Sequence, residues 1–269
     1  MSKDKNKKRV VVITGASSGI GFEVAKYFVE KGDIVYGLSR RKNEQSGIHS
    51  ISCDVTNYDE IEKTIKTIYD KEKHIDILIN NAGFGISGSV ENQKNEDIEN
   101  IFKVNFFGAV KITQTVLPIM RKQGYGKIFN TGSVAGIIPI PFQSFYSATK
   151  ASLDIWAKAL SLEVMPFNIQ VCTMLVGDTK TGFTAERQKS SVDIEGDYSK
   201  IVERSITKME HDEQNGKSPL TVAKSIYKLS KKRKIPSTKT VGFAYKTLLF
   251  LQKILPQKFM LWVIKKLYC

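Results

Sequence analysis

The sequence predicts an α/β fold: a single-domain, doubly wound parallel sheet of about seven strands, with a basic, apolar helical extension at its C-terminus. Three observations carry this. Short β-branched runs near residues 10–14, 34–38, 48–53, 76–80, 126–132, 169–176 and 239–243 alternate with amphipathic helical segments. Such alternation is expected of parallel strands with helices on both faces. The first run breaks into glycines and then resumes as a helix. The 269 residues contain no Pro/Gly/Ser-rich linker and no internal repeat, so residues 1–244 read as one domain and 245–269 as an extension of it.

In chain order, Met1 to Arg9 is Lys-rich but lacks the apolar stretch of a signal peptide, and reads as a solvated tail. The strand Val10 to Thr14 runs into Gly15-Ala16-Ser17-Ser18-Gly19-Ile20-Gly21, and Phe22, Val24, Ala25, Phe28 and Val29 then follow at helical spacing. Gly15, Gly19 and Gly21 let the backbone turn sharply and approach a ligand. The helix start offers free N–H groups to a pyrophosphate, so this turn, with Ser17, Ser18 and Ile20, reads as a dinucleotide cradle. The spacing is Gly-x-x-x-Gly-x-Gly rather than Gly-x-Gly-x-x-Gly, and an ordinary strand-to-helix loop is the alternative.

The second strand ends in Ser39-Arg40-Arg41. An acid here would bind a ribose 2′-hydroxyl and repel a 2′-phosphate, whereas a hydroxyl and two guanidiniums suit the phosphate. NADP(H) is therefore expected over NAD(H), although arginines are also common on surfaces after strands. Asp54 and Val55 follow the third strand, and Asn80-Asn81-Ala82-Gly83 the fourth. Asn105 lies inside a helix, and Ser133 follows the strand beginning at Gly126.

Tyr146 and Lys150 are four residues apart in Phe-Tyr-Ser-Ala-Thr-Lys, which puts the ammonium beside the ring on one helix face. A neighbouring cation favours a phenolate, so the pair reads as an acid with its own tuner. Tyr and Lys also meet at this spacing on many solvated helices.

These landmarks in this order, over residues 9 to 185, resemble the short-chain dehydrogenase/reductase family with its Rossmann-type fold. The resemblance implies a catalytic tetrad of Asn105, Ser133, Tyr146 and Lys150. Tyr146 would be the general acid for carbonyl reduction, and Ser133 would hydrogen-bond the reacting oxygen of the substrate. Lys150 would hold the nicotinamide ribose and lower the phenol pKa, while Asn105 would anchor a relay water. Asp54 would meet the adenine, with Val55, Asn81, Ala82 and Gly83 beside it; a polar residue at a strand end is the other reading of Asp54. Gly177, Thr179 and Thr181 would meet the nicotinamide end. The run Val176-Gly177-Asp178-Thr179-Lys180-Thr181 departs from the family there, because the usual proline before the glycine is missing. A less rigid turn is expected.

No metal is expected, since His49, His74 and His211 are scattered without ligand spacing. Cysteines at 53, 172 and 269 suggest a reducing, cytoplasmic setting without a disulfide framework. No run reaches the roughly 18 apolar residues that a spanning helix needs.

Charge is concentrated at the end of the chain. Residues 214–269 hold 13 Lys/Arg and no Asp/Glu, so they supply nearly all of the net +14. A helix around Ser218 to Lys231 and a last strand precede two apolar segments, Thr247 to Leu255 and Phe259 to Leu267, split by Pro256 and edged by lysines. Three readings compete for this extension: a lid over the cleft, attachment to a membrane surface, and nucleic-acid binding, for which no motif is seen.

Pro141-Phe142, Pro166-Phe167 and the apolar extension look like the hydroxysteroid and retinol dehydrogenase branch of the family. The reading is an NADP(H)-dependent carbonyl reductase, reversible, acting on a lipophilic ketone such as a steroid, a retinoid or a long-chain keto lipid, and expected to be a homodimer. A 3-oxoacyl thioester reductase and a non-catalytic cofactor-binding regulator are the alternatives. The segment Gly182 to Gly216, rich in Lys, Glu, Asp and Ser, is too polar to name a ligand.

Overall fold

The computed structural model describes residues 8–42, 47–190, 193 and 196–269; the Lys-rich segment read as a solvated tail falls almost wholly outside them. The chain forms β1 (Val10–Thr14), α1 (Gly19–Glu30), β2 (Ile34–Ser39), β3 (Ile48–Ser52), α2 (Tyr58–Glu72) and β4 (Ile77–Asn80). It continues through β5 (Ile86–Ser87), α3 (Asn95–Phe102), a π-helical turn at Lys103–Phe107, α4 (Gly108–Gln123), β6 (Gly126–Ser133) and α5 (Ser144–Glu163). The rest is β7 (Ile169–Val176), β8 (Gln188–Lys189), α6 (Ser199–Gln214), α7 (Pro219–Ser230), β9 (Thr238–Thr240), α8 (Phe243–Ile254) and α9 (Gln257–Tyr268).

Local chemistry explains the helices. In α2, the Asn57 side chain accepts a hydrogen bond from the Glu60 N–H, Asp59 and Glu60 face the positive end of the helix dipole, and Lys73 closes it in a left-handed conformation. Ile61, Ile65 and Ile68 recur on one face and are buried. Ser218 caps α7 and Pro219 occupies its first turn, where a missing N–H costs nothing.

Seven strands form one parallel sheet in the order β3-β2-β1-β4-β6-β7-β9. Alternation within β1 sorts its side chains: Val10 and Val12 join a core with α2, α4 and α5, while Val11 and Ile13 join a second core with α1 and α7. The strand order reverses between β1 and β4, so the loops leaving their carboxyl ends diverge and open a crevice.

The structure adds three things to the sequence reading. The last strand ends at Thr240 rather than near 243, because Gly242 turns the chain at φ 96° and α8 starts at Phe243. A two-stranded parallel sheet of β5 and β8 ties the segment after β7 to the segment after β4; two residues per strand are too few to show alternation. The polar stretch 182–216 contains α6, whose Val202, Ile206 and Met209 recur at helical spacing and are buried.

The tail folds back on the body. Leu249 of α8 and Ile264 of α9 are buried in one cluster with Val134, Ile138 and Leu175. Among the described residues, no helix is long and apolar enough to cross a membrane.

Candidate active site

The glycine turn after β1 is shaped by backbone requirements that only glycine meets. Gly15 and Gly19 have φ of 65° and 56°, in the left-handed region. At Gly21 the constraint is space, because a Cβ would lie 2.2 Å from the Gly15 carbonyl oxygen. The loop after β4 holds this turn: Asn81 and Ala82 donate their N–H groups to Thr14 Oγ1 at 2.9 and 3.0 Å, and Asn81 Nδ2 donates to the Gly15 carbonyl at 3.2 Å.

Two turns further along the carboxyl edge, the four tetrad residues come together. Asn105 sits in the π-helical turn, where its Oδ1 accepts from the Phe84 N–H at 3.0 Å and its Nδ2 donates to the Phe84 carbonyl and Thr149 Oγ1. Both amide hydrogens are therefore used in fixing the loop to the helix, so a water held by this side chain has only the remaining lone pair of Oδ1. Gly83 fits between Asn105 and Lys150: a Cβ there would meet Asn105 Oδ1 at 2.9 Å and Lys150 Nζ at 3.5 Å. Lys150 is buried and donates to the Thr131 carbonyl at 2.9 Å. Ser133 accepts from the Ala135 N–H at 3.1 Å, and its hydroxyl lies near enough to Tyr146 to favour the phenolate.

The electrostatics differ from the expectation that Lys150 draws the phenol down toward neutral pH. Burial pushes Tyr146 up to about 12; the Ser133 hydroxyl and Arg187 oppose this, while Glu213 and Asp178 add to it. Burial also pulls Lys150 down to about 8. Desolvation penalises each charged form and outweighs a cation whose Nζ stands 5.6 Å from the ring centroid. Tyr146 is thus a proton-bearing phenol at neutral pH.

One cavity of about 510 Å³ joins these parts. At one end lie Gly15, Ser17, Ser18, Gly19 and Ile20, with Ser39, Arg40, Arg41, Asp54 and Val55 beyond them. Ser39 Oγ donates to the Arg41 carbonyl at 2.5 Å, and Arg41 forms an exposed ion pair with Glu186 at 2.8 Å. Asp54 accepts from both the N–H and the hydroxyl of Thr56 at 2.8 Å, so it caps a strand end and also lines the cavity. Gly177, Thr179 and Thr181 line its middle, and Thr181 lies against Gly19. The cradle, the two arginines and the buried lysine fit a nicotinamide dinucleotide.

The turn that lacks the proline before Gly177 is tied to the tail. Tyr245, in the first turn of α8, accepts from the Asp178 N–H at 2.9 Å and donates to Asp178 Oδ2 at 2.5 Å. Its ring takes the space of a Gly177 Cβ, which would stand 2.2 Å from it. A tertiary contact with the tail thus constrains the turn where a proline would have constrained it locally.

The other end of the cavity is apolar and walled by the tail, through Leu248, Met260, Val263, Ile264 and Leu267. Three neighbours of Tyr146, namely Phe183, Arg187 and Glu213, were missed in the sequence. The Phe183 ring is 5.6 Å from that of Tyr146, and Glu213, which lines the cavity, is held by Arg187 and by Thr184 Oγ1. Only the helical spacing of α6 could have pointed to Glu213.

Comparison with known proteins agrees with this geometry. The short chain dehydrogenase family model matches residues 9–191. The chain is 39% identical over 236 residues to a 3-ketodihydrosphingosine reductase of Bacteroides thetaiotaomicron, covering 87% of this chain and 88% of that one. It is 34% identical over 191 residues to an NADPH-dependent 1-acyldihydroxyacetone phosphate reductase of Saccharomyces cerevisiae, covering 67% and 64%. The crystal structure of a short-chain dehydrogenase from Streptomyces avermitilis superposes with a TM-score of 0.83 at 28% identity, over 93% of this chain and 94% of that one. A glycine turn, a nicotinamide-sized cleft and a Ser-Tyr-Lys-Asn cluster on one parallel sheet thus have a common explanation: the chain belongs to the short-chain dehydrogenase family of nicotinamide-dependent oxidoreductases.

Proposed function

We propose that the protein is an NADPH-dependent reductase that converts the ketone of a long-chain lipid to a secondary alcohol. The observation that carries this is the position of Tyr146: a protonated phenol beside Ser133, where a dinucleotide cradle meets an apolar chamber. When bound, the reduced nicotinamide supplies a hydride. The chain's own residues do the rest. Ser133 and Tyr146 donate hydrogen bonds to the carbonyl oxygen, polarising it, and Tyr146 gives up its proton as negative charge develops there. Lys150, charged below about pH 8, stabilises the phenolate left behind and holds the cofactor ribose. Asn105 fixes the helix turn beside them and offers Oδ1 to a relay water.

Arg40 and Arg41 support NADPH over NADH, and the yeast relative is named for NADPH. For the substrate, the apolar chamber supports a lipid, and the Bacteroides relative supports a long-chain keto lipid over a steroid or retinoid. Asp178 lines the cavity close enough to influence the phenol and would meet the ammonium of an amino ketone, while Glu213 is already paired with Arg187. A non-catalytic regulator would have no use for all four tetrad residues. Exposed Ile155 and Leu162 on α5, with Met165 and Phe167 just after it, support a homodimer joined through this face. Contact with a membrane would give such an enzyme access to a substrate scarce in water.

The test is NADPH oxidation with 3-ketodihydrosphingosine, 1-acyldihydroxyacetone phosphate, a 3-oxoacyl thioester and a steroid ketone. Turnover is expected to be fastest with the amino ketone, and Tyr146→Phe is expected to lower kcat by about 1,000-fold while leaving cofactor affinity intact. No turnover with any of them rejects the reading; preference for the thioester reassigns the substrate.

A further inference from the structure

The C-terminal helices have two faces, and the reductase reading uses only one. The inner face walls the cavity. On the outer face of α8, Phe243, Phe250 and Ile254 are 80%, 61% and 60% exposed. They are spaced seven and four residues apart and so fall on one side of the helix, flanked by Lys246 and Lys253. On α9, Phe259 and Trp262 are about half exposed and stack on each other at 5.9 Å, among Lys258, Lys265 and Lys266. Leu267 belongs to both faces: it lines the cavity and is 51% exposed, so it marks where the chamber meets the outside.

Leaving this much aromatic and branched surface in water is unfavourable, so the face calls for an occupant. Charge selects among the candidates. Residues 214–269 carry no Asp or Glu. A second copy placed symmetrically on this face would set lysines against lysines with no acid from the tail to balance them. A nucleic acid would satisfy the lysines but leave Trp262, Phe250 and Ile254 without an apolar partner. An anionic bilayer satisfies both, since its headgroups attract the lysines while its acyl boundary takes up the aromatic and aliphatic side chains.

We propose that α8 and α9 dock on an anionic membrane surface and thereby present the mouth of the cavity, at Leu267, to the lipid phase. Docking itself is independent of the chemistry; the delivery of a lipid substrate rests on the reductase reading. The helices lie on the surface without spanning it, which agrees with their length of 12 residues each.

The experiment is co-sedimentation of the full chain with vesicles of phosphatidylcholine alone or mixed with phosphatidylglycerol, at low and high salt. Binding to the mixed vesicles is expected at low salt and should fall at least tenfold in 0.5 M salt. Each lysine at such a surface is worth roughly fivefold in partitioning, so replacing Lys246, Lys253, Lys258, Lys265 and Lys266 with Gln should weaken binding at least about 20-fold. A second variant, Phe250→Ser with Trp262→Ser, alters only exposed side chains and should weaken binding while NADPH-dependent turnover of a short, water-soluble ketone stays unchanged. Turnover of a vesicle-borne long-chain ketone should fall in both variants. No binding at low salt overturns the proposal, as does equal binding to neutral vesicles. Conversion of a dimer to monomers by the second variant, without loss of vesicle binding by the first, assigns the face to a second copy instead. If vesicles bind but no ketone turns over, docking stands and the reductase reading fails.

Discussion

Two turns at the carboxyl edge of the sheet shape the same cleft by opposite means. The turn after β1 is built almost entirely from its own sequence: two glycines in the left-handed region, a third that clears a carbonyl oxygen, and an asparagine one strand away as a clamp. The turn after β7 has one glycine, no proline, and an aspartate whose N–H and carboxylate are both engaged by Tyr245, 67 residues further on. The first turn is legible to anyone who knows what glycine permits. The second is opaque, because its stiffness resides in a contact that no spacing announces. Rigidity at a binding site can therefore be local or tertiary, and a sequence that lacks the local device need not be loose.

The same distinction governs what the sequence disclosed elsewhere. The seven main strands and the glycine turn after the first were readable because each is a short local pattern with a backbone reason, whereas the tetrad came from the family resemblance, and the structure gathers its four residues at one edge of the sheet. Helical spacing shows that Tyr146 is near Lys150 but not that desolvation pushes the phenol up and the ammonium down, which only the folded surroundings disclose. Phe183, Glu213 and Tyr245 reach the cavity from a polar segment, an unforeseen helix and the tail, brought there by long-range packing. For the tail the sequence left open a lid, a membrane-surface anchor, both, or a nucleic-acid site; its inner face lines the cavity, as a lid would, and its outer face remains exposed.

The largest effect is expected at Gly177. Gly177→Ala puts a methyl where the Tyr245 ring sits, and should weaken cofactor binding at least about 30-fold, with a coupling of about 1–3 kcal/mol to Tyr245. Tyr245→Ala alone should cost less, by loosening the turn. Combined, the two should recover most of the loss, since the second vacates the space the first needs. Titration of cofactor by fluorescence measures all three. Strict additivity of the two changes would mean that the ring does not hold the turn.

A smaller effect probes the buried lysine. Because Lys150 loses its charge near pH 8, the kcat/KM for cofactor should fall up to about tenfold per pH unit above that value. Alkaline unfolding would look different. With a folded pKa below its ordinary 10.5, Lys150 is charged more in the unfolded chain than in the folded one above pH 8, so its contribution to stability rises with pH up to about 10. Beyond that, Tyr146 and Tyr268, held protonated up to about 12, reverse the trend. Thermal melts across pH 7 to 10 alongside the kinetics separate the two, and a flat kcat/KM to pH 10 would remove Lys150 from cofactor binding.

The smallest effect concerns Arg41, where the segment leaving the β7 turn reaches back across the cleft through Glu186. A 2′-phosphate arriving at Arg41 must compete with that carboxylate, and both partners are well exposed, at 73% and 58% of their side chains. An exposed pair of this kind is worth at most about 1 kcal/mol. Glu186→Gln should therefore tighten NADPH by only about two- to threefold, leave NADH unchanged, and lose its effect at high salt. Equal gains for both cofactors would show that Glu186 repels the dinucleotide as a whole, while weaker NADPH binding would mean that the ion pair orients Arg41 for the phosphate. In the second case even the β2 end of the cradle, which looked local in the sequence, would depend on a residue 145 positions away.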